Sequence, residues 1–298
     1  MYAIENYQDS TRFNEQCEEI RTFLCQNADR GFNEHFHWGR FDWMMAHSCL
    51  ETDKLSQIAM FRDEHGTLVG MILFDTSYDD RWYILHSISD EMLLRKMIGC
   101  AADANTATVK ANLDDQQLCA LLEKLGFEMQ RSEIVLALSL SDRITAPLPQ
   151  GFALNPPGAK IDDWQWRLVI HRGFGGDGLP EAPGEEAARA EKRLEAPDYI
   201  KVFAVKDGEY AAHCGVWYDG GDTAYIEPVV TVPEHRGKGL GKAVVYEAVG
   251  RARSRGAKRA IVLSDQAFYR HIGMVQSSEV GVWTVKSSDK KTRFTVFP

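Results

Sequence analysis

Between positions 240 and 252 apolar residues recur every four positions, at Leu240, Val244, Ala248 and Ala252, and Gly241, Val245 and Val249 widen the stripe. That spacing predicts an amphipathic helix. Gly256 stands where a C-terminal glycine would end it. Arg251, Arg253 and Arg255 put cations where the helix dipole favours them. On either side the pattern changes to short apolar runs. Strands are predicted near 200–206, 210–218, 223–232, 259–263 and 279–286, with hairpin turns at Asp207-Gly208 and at 219–222. Helices are predicted over 162–172, carrying Trp164, Leu168 and His171, and over 185–195. Gly173–Gly178 between them reads as a mobile loop, and Ser264 or Asp265 as the cap of a short helix around Ala267.

The first half repeats this order more faintly. Strands are predicted at 57–61 and 68–74 around a Glu64-His65-Gly66 turn, then at 82–85, 107–110 and 133–138. Helices fall at about 90–103 and 114–125. Lys124-Leu125-Gly126-Phe127 lines up with His271-Ile272-Gly273-Met274, which suggests a tandem duplication. Gly and Pro concentrate at 145–151, a plausible linker, so domains are expected over 1–144 and 150–298. The run His35–Met45 is rich in aromatics. It reads as an aromatic helix or loop packed at the domain interface, or as a lid; His35-x-His37 supplies two metal ligands, too few for a site.

Composition narrows the class. The 298 residues are 44% hydrophobic and 26% charged, as in a soluble globular protein. No apolar run approaches the roughly 18 residues of a membrane span, and the first residues carry no export signal. The six cysteines (17, 25, 49, 100, 119, 214) show neither paired nor zinc-type spacing, so a reduced, cytoplasmic protein without metal is expected. A net charge of −9 argues against nucleic acid and suits a cationic amine substrate. Homodimerisation stays open.

The chemistry is written between Ile226 and Gly241. A strand ends at Pro233, and glycines follow at 237, 239 and 241 behind Arg236. Alternate residues without a Cβ let backbone N–H groups close on an anion at a helix N-terminus. The spacing excludes two familiar phosphate loops. A P-loop would need glycine where Arg236 stands, and the dinucleotide fingerprint would need glycine where Lys242 stands. Arg236-x-x-Gly239-x-Gly241 instead resembles the pyrophosphate loop of the GNAT superfamily of acyl-CoA N-acyltransferases. Tyr269-Arg-His-Ile-Gly273 is similar to that family's second signature.

The resemblance implies an α/β (α+β) fold of two tandem GNAT-like domains, each a central mixed sheet flanked by helices, with splayed strands at the CoA site of the second. It implies acetyl-CoA as co-substrate, its acetyl group transferred directly to a primary amine. Arg236, Gly237, Lys238, Gly239, Leu240, Gly241 and Lys242 would hold the pyrophosphate. N–H groups near Val230, Thr231 and Val232 would bind pantetheine or the thioester, with Phe268 beside the cofactor. Tyr269 is the candidate acid for the departing thiolate and Glu227 the candidate base. Pro228 cannot donate to a sheet ladder and so marks a bulge or lost pairing in its strand. His213 and Cys214, on the preceding strand, read as core more readily than as acceptor-site residues. In the first half, Ser87–Leu94 stands where the loop would be, without glycine or arginine, and Leu122 stands where tyrosine would be. That half reads as a degenerate domain without a cofactor site. The reading from a different class is a non-catalytic acyl-CoA sensor acting through a protein partner.

Overall fold

Period-two and period-3.6 segments alternate along the chain, and each becomes the element its spacing favours. The computed structural model describes residues 1–8, 11–28, 31–47, 50–75, 81–103 and 108–285. Cys49, Ala107 and residue 286, named above, lie outside the described residues. The chain divides into two units. The first comprises residues 1–136, 263–265 and 276–298; the second comprises 137–262 and 266–275.

The first unit contains β1 (Ala3–Asn6), α1 (Glu15–Asn27), α2 (Trp38–Ala46), β2 (Ala59–Arg62), β3 (Leu68–Phe74), β4 (Trp82–His86), α3 (Glu91–Asp103), β5 (Thr108–Asn112), α4 (Gln116–Lys124) and most of β6 (Phe127–Ser139). The order of its sheet is β1-β2-β3-β4-β5, followed by the last of the described strands and then β6. β4 and β5 run parallel, and β1 to β4 are antiparallel neighbours. The aromatic run becomes α2, capped by the His37 side chain, which accepts from the Gly39 N–H. Trp38, Phe41, Met44 and Met45 are wholly buried in this unit, and the Arg21 guanidinium lies 4.5 Å from the Trp38 ring centroid.

The second unit contains β7 (Ala153–Leu154), α5 (Asp163–Gly173), α6 (Glu185–Glu191), β8 (Tyr199–Lys206), β9 (Glu209–Trp217), β10 (Thr223–Thr231), α7 (Leu240–Ser254), β11 (Arg259–Leu263) and α8 (Ala267–His271). The order of its sheet is β11-β10-β9-β8-β7, with β10 and β11 parallel and the other pairs antiparallel. The Asp207-Gly208 turn has φ of +50° and +87°, both in the left-handed region, and joins β8 to β9. α7 buries Leu240, Val244, Ala248 and Ala252, the predicted stripe, and ends at Gly256 with φ +120°. One expectation fails locally. Neither Ser264 nor Asp265 caps the short helix; its N-cap is Gln266, whose side chain makes no capping bond.

The strand expected near 279–286 is present as β12 (Val275–Val285), and it pairs antiparallel with β5 from Val280–Asn112 to Thr284–Thr108. β12 therefore completes the sheet of the first unit. An alternating apolar pattern states that a segment is a strand but leaves its partner unspecified.

Candidate active site

The glycine loop sits where β10 leaves the sheet. Pro233–His235 make one 3-10 turn; Gly237 and Gly239 follow with φ of +72° and +86°, and α7 begins at Leu240. No side chain caps α7, so the N–H groups of its first turn keep their donors and the positive end of its dipole faces outward. Leu240 is 1% exposed and anchors the helix start. A Cβ on Gly241 would lie 3.2 Å from the Phe268 ring, so glycine lets that ring close on the loop. The Lys238 ammonium donates to the Glu234 carbonyl at 2.8 Å, and Lys242 lies 5.1 Å from the Tyr246 ring centroid.

Arg236 has a second task that its place in the motif does not reveal. Its guanidinium donates to the carbonyl oxygens of Thr231 (3.1 Å) and Gly173 (2.8 Å), and Arg172 pairs with Glu234 at 2.6 Å. The end of α5 is thereby tied to the loop. A Cβ on Gly173 would come within 2.5 Å of Val230, so this contact also requires glycine. Spacing along the chain carries no trace of the bonds to α5, because Arg236 and Gly173 are 63 residues apart and Arg172 and Glu234 are 62 apart.

β10 parts from β11 beside this loop. Their register pairs run only from Thr223–Arg259 to Tyr225–Ile261, while β10 continues to Thr231 against β9. The β10–β9 register shifts between Ile226 and Val229, spanning Pro228, as the proline implied; the Glu227–Pro228 peptide is cis. Beyond the shift, the Val232 N–H donates to the Ala211 carbonyl at 3.0 Å. Groups two residues apart on a strand point the same way, so Val230 also faces β9. The main-chain groups of Val229 and Thr231 face the gap. Of the three predicted N–H donors, only that of Thr231 opens into it.

Tyr269 and Glu227 flank the same region. Tyr269 is 8% exposed, and its hydroxyl has no hydrogen-bond partner among the described residues, though it is not sealed from solvent. Burial, reinforced by Cys214 and Glu227, pushes its pKa up, so the phenol stays protonated through the neutral range. The Tyr225 hydroxyl donates to the Glu227 carboxylate at 2.8 Å. His213 and Cys214 are fully buried. Burial pushes the Cys214 thiol up, away from nucleophile behaviour, and holds His213 neutral with its pKa down to about 3. The two ring nitrogens of His213 contact the Val202 carbonyl (3.1 Å) and the Tyr199 hydroxyl (3.4 Å), a pattern that suits the neutral ring. Tyr199 in turn lies over Gly215, where a Cβ would come within 2.2 Å of its hydroxyl and 2.4 Å of the Glu227 carbonyl.

The parallel pair of the first unit is built differently. There β4 ends at His86 and β5 leads to Asp115, the N-cap of α4. His86 Nε2 and Asp115 Oδ2 are 2.5 Å apart, both buried, and Asn33 donates to the His86 carbonyl at 2.9 Å. In the second register pair, Lys110 is buried between the Tyr83 hydroxyl (2.8 Å) and Glu133 (3.0 Å). Side chains thus bridge the ends of β4 and β5, and the connection from β4 to α3 holds no glycine.

Among the described residues no group of three or more His, Cys, Asp or Glu could hold a metal, and no helix is long and apolar enough to cross a membrane. Residues 163–274 match the model of the Acetyltransferase (GNAT) family. No curated protein matches the chain. Among solved structures it is similar to a tandem GNAT protein from the clavulanic acid biosynthesis pathway, at 15% identity and a TM-score of 0.60, over 96% of this chain and 98% of that one. A GCN5-related N-acetyltransferase from Sphaerobacter thermophilus matches over 95% and 94% of the two chains, at 17% identity and a TM-score of 0.53. One from Kribbella flavida matches over 74% and 89%, at 16% identity and a TM-score of 0.51. The fold is that of tandem GNAT proteins, and residues 163–274 make an acyltransferase domain.

Proposed function

We propose that the protein is an N-acetyltransferase that moves acetyl from acetyl-CoA directly to a primary amine. The observation that carries this reading is one juxtaposition within the second unit. An uncapped helix N-terminus, reached through Gly237 and Gly239, lies beside a strand gap into which the Thr231 N–H opens. The loop from Arg236 to Lys242 would hold the diphosphate on backbone N–H groups. Thr231 would hydrogen-bond the pantetheine or the thioester carbonyl, where negative charge develops as the amine attacks. Phe268, already closed on Gly241, would line the cofactor.

In this reading Glu227 takes the proton from the attacking ammonium or amine, directly or through water, and Tyr269 gives one to the departing thiolate. The free hydroxyl of Tyr269 and its upward-shifted pKa favour the role of acid over that of base. The first unit, with the ends of β4 and β5 bridged by His86 and Asp115, would bind no cofactor. The test is calorimetry with CoA followed by an amine panel with free-thiol detection. Saturable binding at one site per chain, together with amine-dependent thiol release, is expected. Absence of CoA binding would sink the reading, and binding without turnover on any amine would favour an acyl-CoA sensor.

A further inference from the structure

A groove of about 1110 Å³ opens elsewhere in the second unit, between the segment around Asn155–Ile161, the start of β8 and the C-terminal half of α7. None of residues 236–241 lines it. β7 pairs with β8 only at Ala204 and Val205, so the edge of β8 before them has no strand beside it there. Although the chain carries a net charge of −9, this groove is lined by six cationic side chains: Arg143, Lys160, Lys201, Arg251, Arg253 and Arg255. Three acidic residues, Asp163, Glu195 and Glu247, share the lining, and Glu247 is paired with Arg251 at 2.9 Å.

The remaining cations form no ion pair among the described residues. Arg253 donates to the carbonyl oxygens of Leu140 (2.7 Å) and Ser141 (3.3 Å), and Arg255 to that of Pro197 (2.7 Å). Carbonyl groups satisfy the N–H donors but leave the positive charges standing. Lys201 is the most telling. Its ammonium lies 4.9 Å from the Trp166 ring centroid and 5.7 Å from that of Tyr199, and it makes no hydrogen bond or ion pair among the described residues. Burial pushes its pKa down, opposed by the more distant Asp163 and Glu195. The arginines act as staples for the surrounding backbone; no such bond accounts for Lys201. Burial disfavours the charged ammonium and the two rings attract it, but no anion pairs with it among the described residues, so a counter-charge is left for a ligand to supply.

We propose that this groove is a second binding site, for a small organic polyanion carrying carboxylate or phosphate groups, with Lys201 and Arg143 as its principal contacts. Its volume, about 1110 Å³, lies just above the roughly 300–1,000 Å³ of clefts that take small molecules. Calorimetric titration of the full chain at low salt with citrate and, separately, with pyrophosphate tests the proposal and tells the two anion chemistries apart. For at least one probe, one site per chain that responds to the groove substitutions is expected. Lys201→Met should weaken it at least tenfold and Arg143→Ala several-fold, whereas Arg236→Ala should leave it unchanged. Binding of neither probe to the unmodified chain would overturn the proposal, as would binding indifferent to both groove substitutions. Should Lys201→Met fail to fold, Arg143→Ala decides alone, since Arg143 is exposed and has no partner among the described residues.

Discussion

The hydroxyl of Tyr225 donates to the carboxylate of Glu227 at 2.8 Å, across the residue that separates them on β10. Side chains at i and i+2 on a strand project to the same face, so Tyr225 fixes the rotamer of Glu227 from its own strand. If Glu227 is the base, Tyr225 is a positioning residue. Tyr225→Phe should lower kcat several-fold while leaving CoA affinity unchanged. The double variant with Glu227→Gln should be no slower than Glu227→Gln alone, because the hydroxyl acts only through the carboxylate. Steady-state kinetics on the four proteins of the cycle gives the coupling. Additive losses would remove the positioning role.

Tyr269→Phe separates chemistry from folding more cleanly than most buried substitutions. The hydroxyl bonds to no described residue, so its removal should leave the melting temperature nearly unchanged. Loss of a general acid typically costs about 10²–10⁴-fold in rate. Because burial raises the phenol pKa above its ordinary value near 10, the rate of the unmodified enzyme should show no basic limb from Tyr269 below about pH 10. Rate profiles of both proteins check this, and an unchanged kcat in the variant would take Tyr269 out of the mechanism.

Gly215 is held to glycine by the ring above it. An added Cβ would come within 2.2 Å of the Tyr199 hydroxyl and 2.4 Å of the Glu227 carbonyl oxygen, and the second of these is backbone. Gly215→Ala must therefore displace either the ring or the segment that carries Glu227. Overpacking of this kind costs about 1–3 kcal/mol. Denaturant unfolding should find the upper part of that range, and activity should fall more than stability alone explains. A variant as stable as the parent would show that the ring and the Glu227 segment yield to the added methyl at no cost.

How much of this was legible beforehand depends on whether the information is local. The glycine loop, the α7 stripe and the Asp207-Gly208 turn each lie within one short window, and spacing alone finds them. Pro228 announced its disruption because proline cannot donate wherever it stands. The available N–H on β10 was not legible. Val232 donates to Ala211, and only the register with β9 sets that choice. The same holds for Arg236, whose bond to Gly173 joins distant residues, and for β12, whose pairing with β5 no alternation pattern encodes. β1 and α1 carry too weak a local signal to be found this way. In α1 the apolar set Cys17, Ile20, Phe23 and Leu24 is short, and its cap is Asn14, whose side chain accepts from the Cys17 N–H.

Acid should destabilise this protein earlier than carboxylates alone would require. Burial lowers the pKa of His213 and of His35 to about 3, against an ordinary value of 6.5. As pH falls below 6.5 the unfolded chain takes up a proton at each site, while the folded chain refuses it until about pH 3. The unfolded state then binds more protons, so stability drops with falling pH, by about 1.4 kcal/mol per unit for each histidine. His47 is shifted in the same direction by burial and adds to the slope. The carboxylates that folding lowers, Glu19 and Glu133 among them, respond only below about 4.5, so the interval from 6.5 to 4.5 belongs to the histidines. Urea unfolding across that interval should show the slope, and His213→Gln should reduce it by one proton's worth whatever it does to absolute stability. An unaltered slope in that variant would mean that His213 protonates in the folded state, against the seal formed by Val202 and Tyr199.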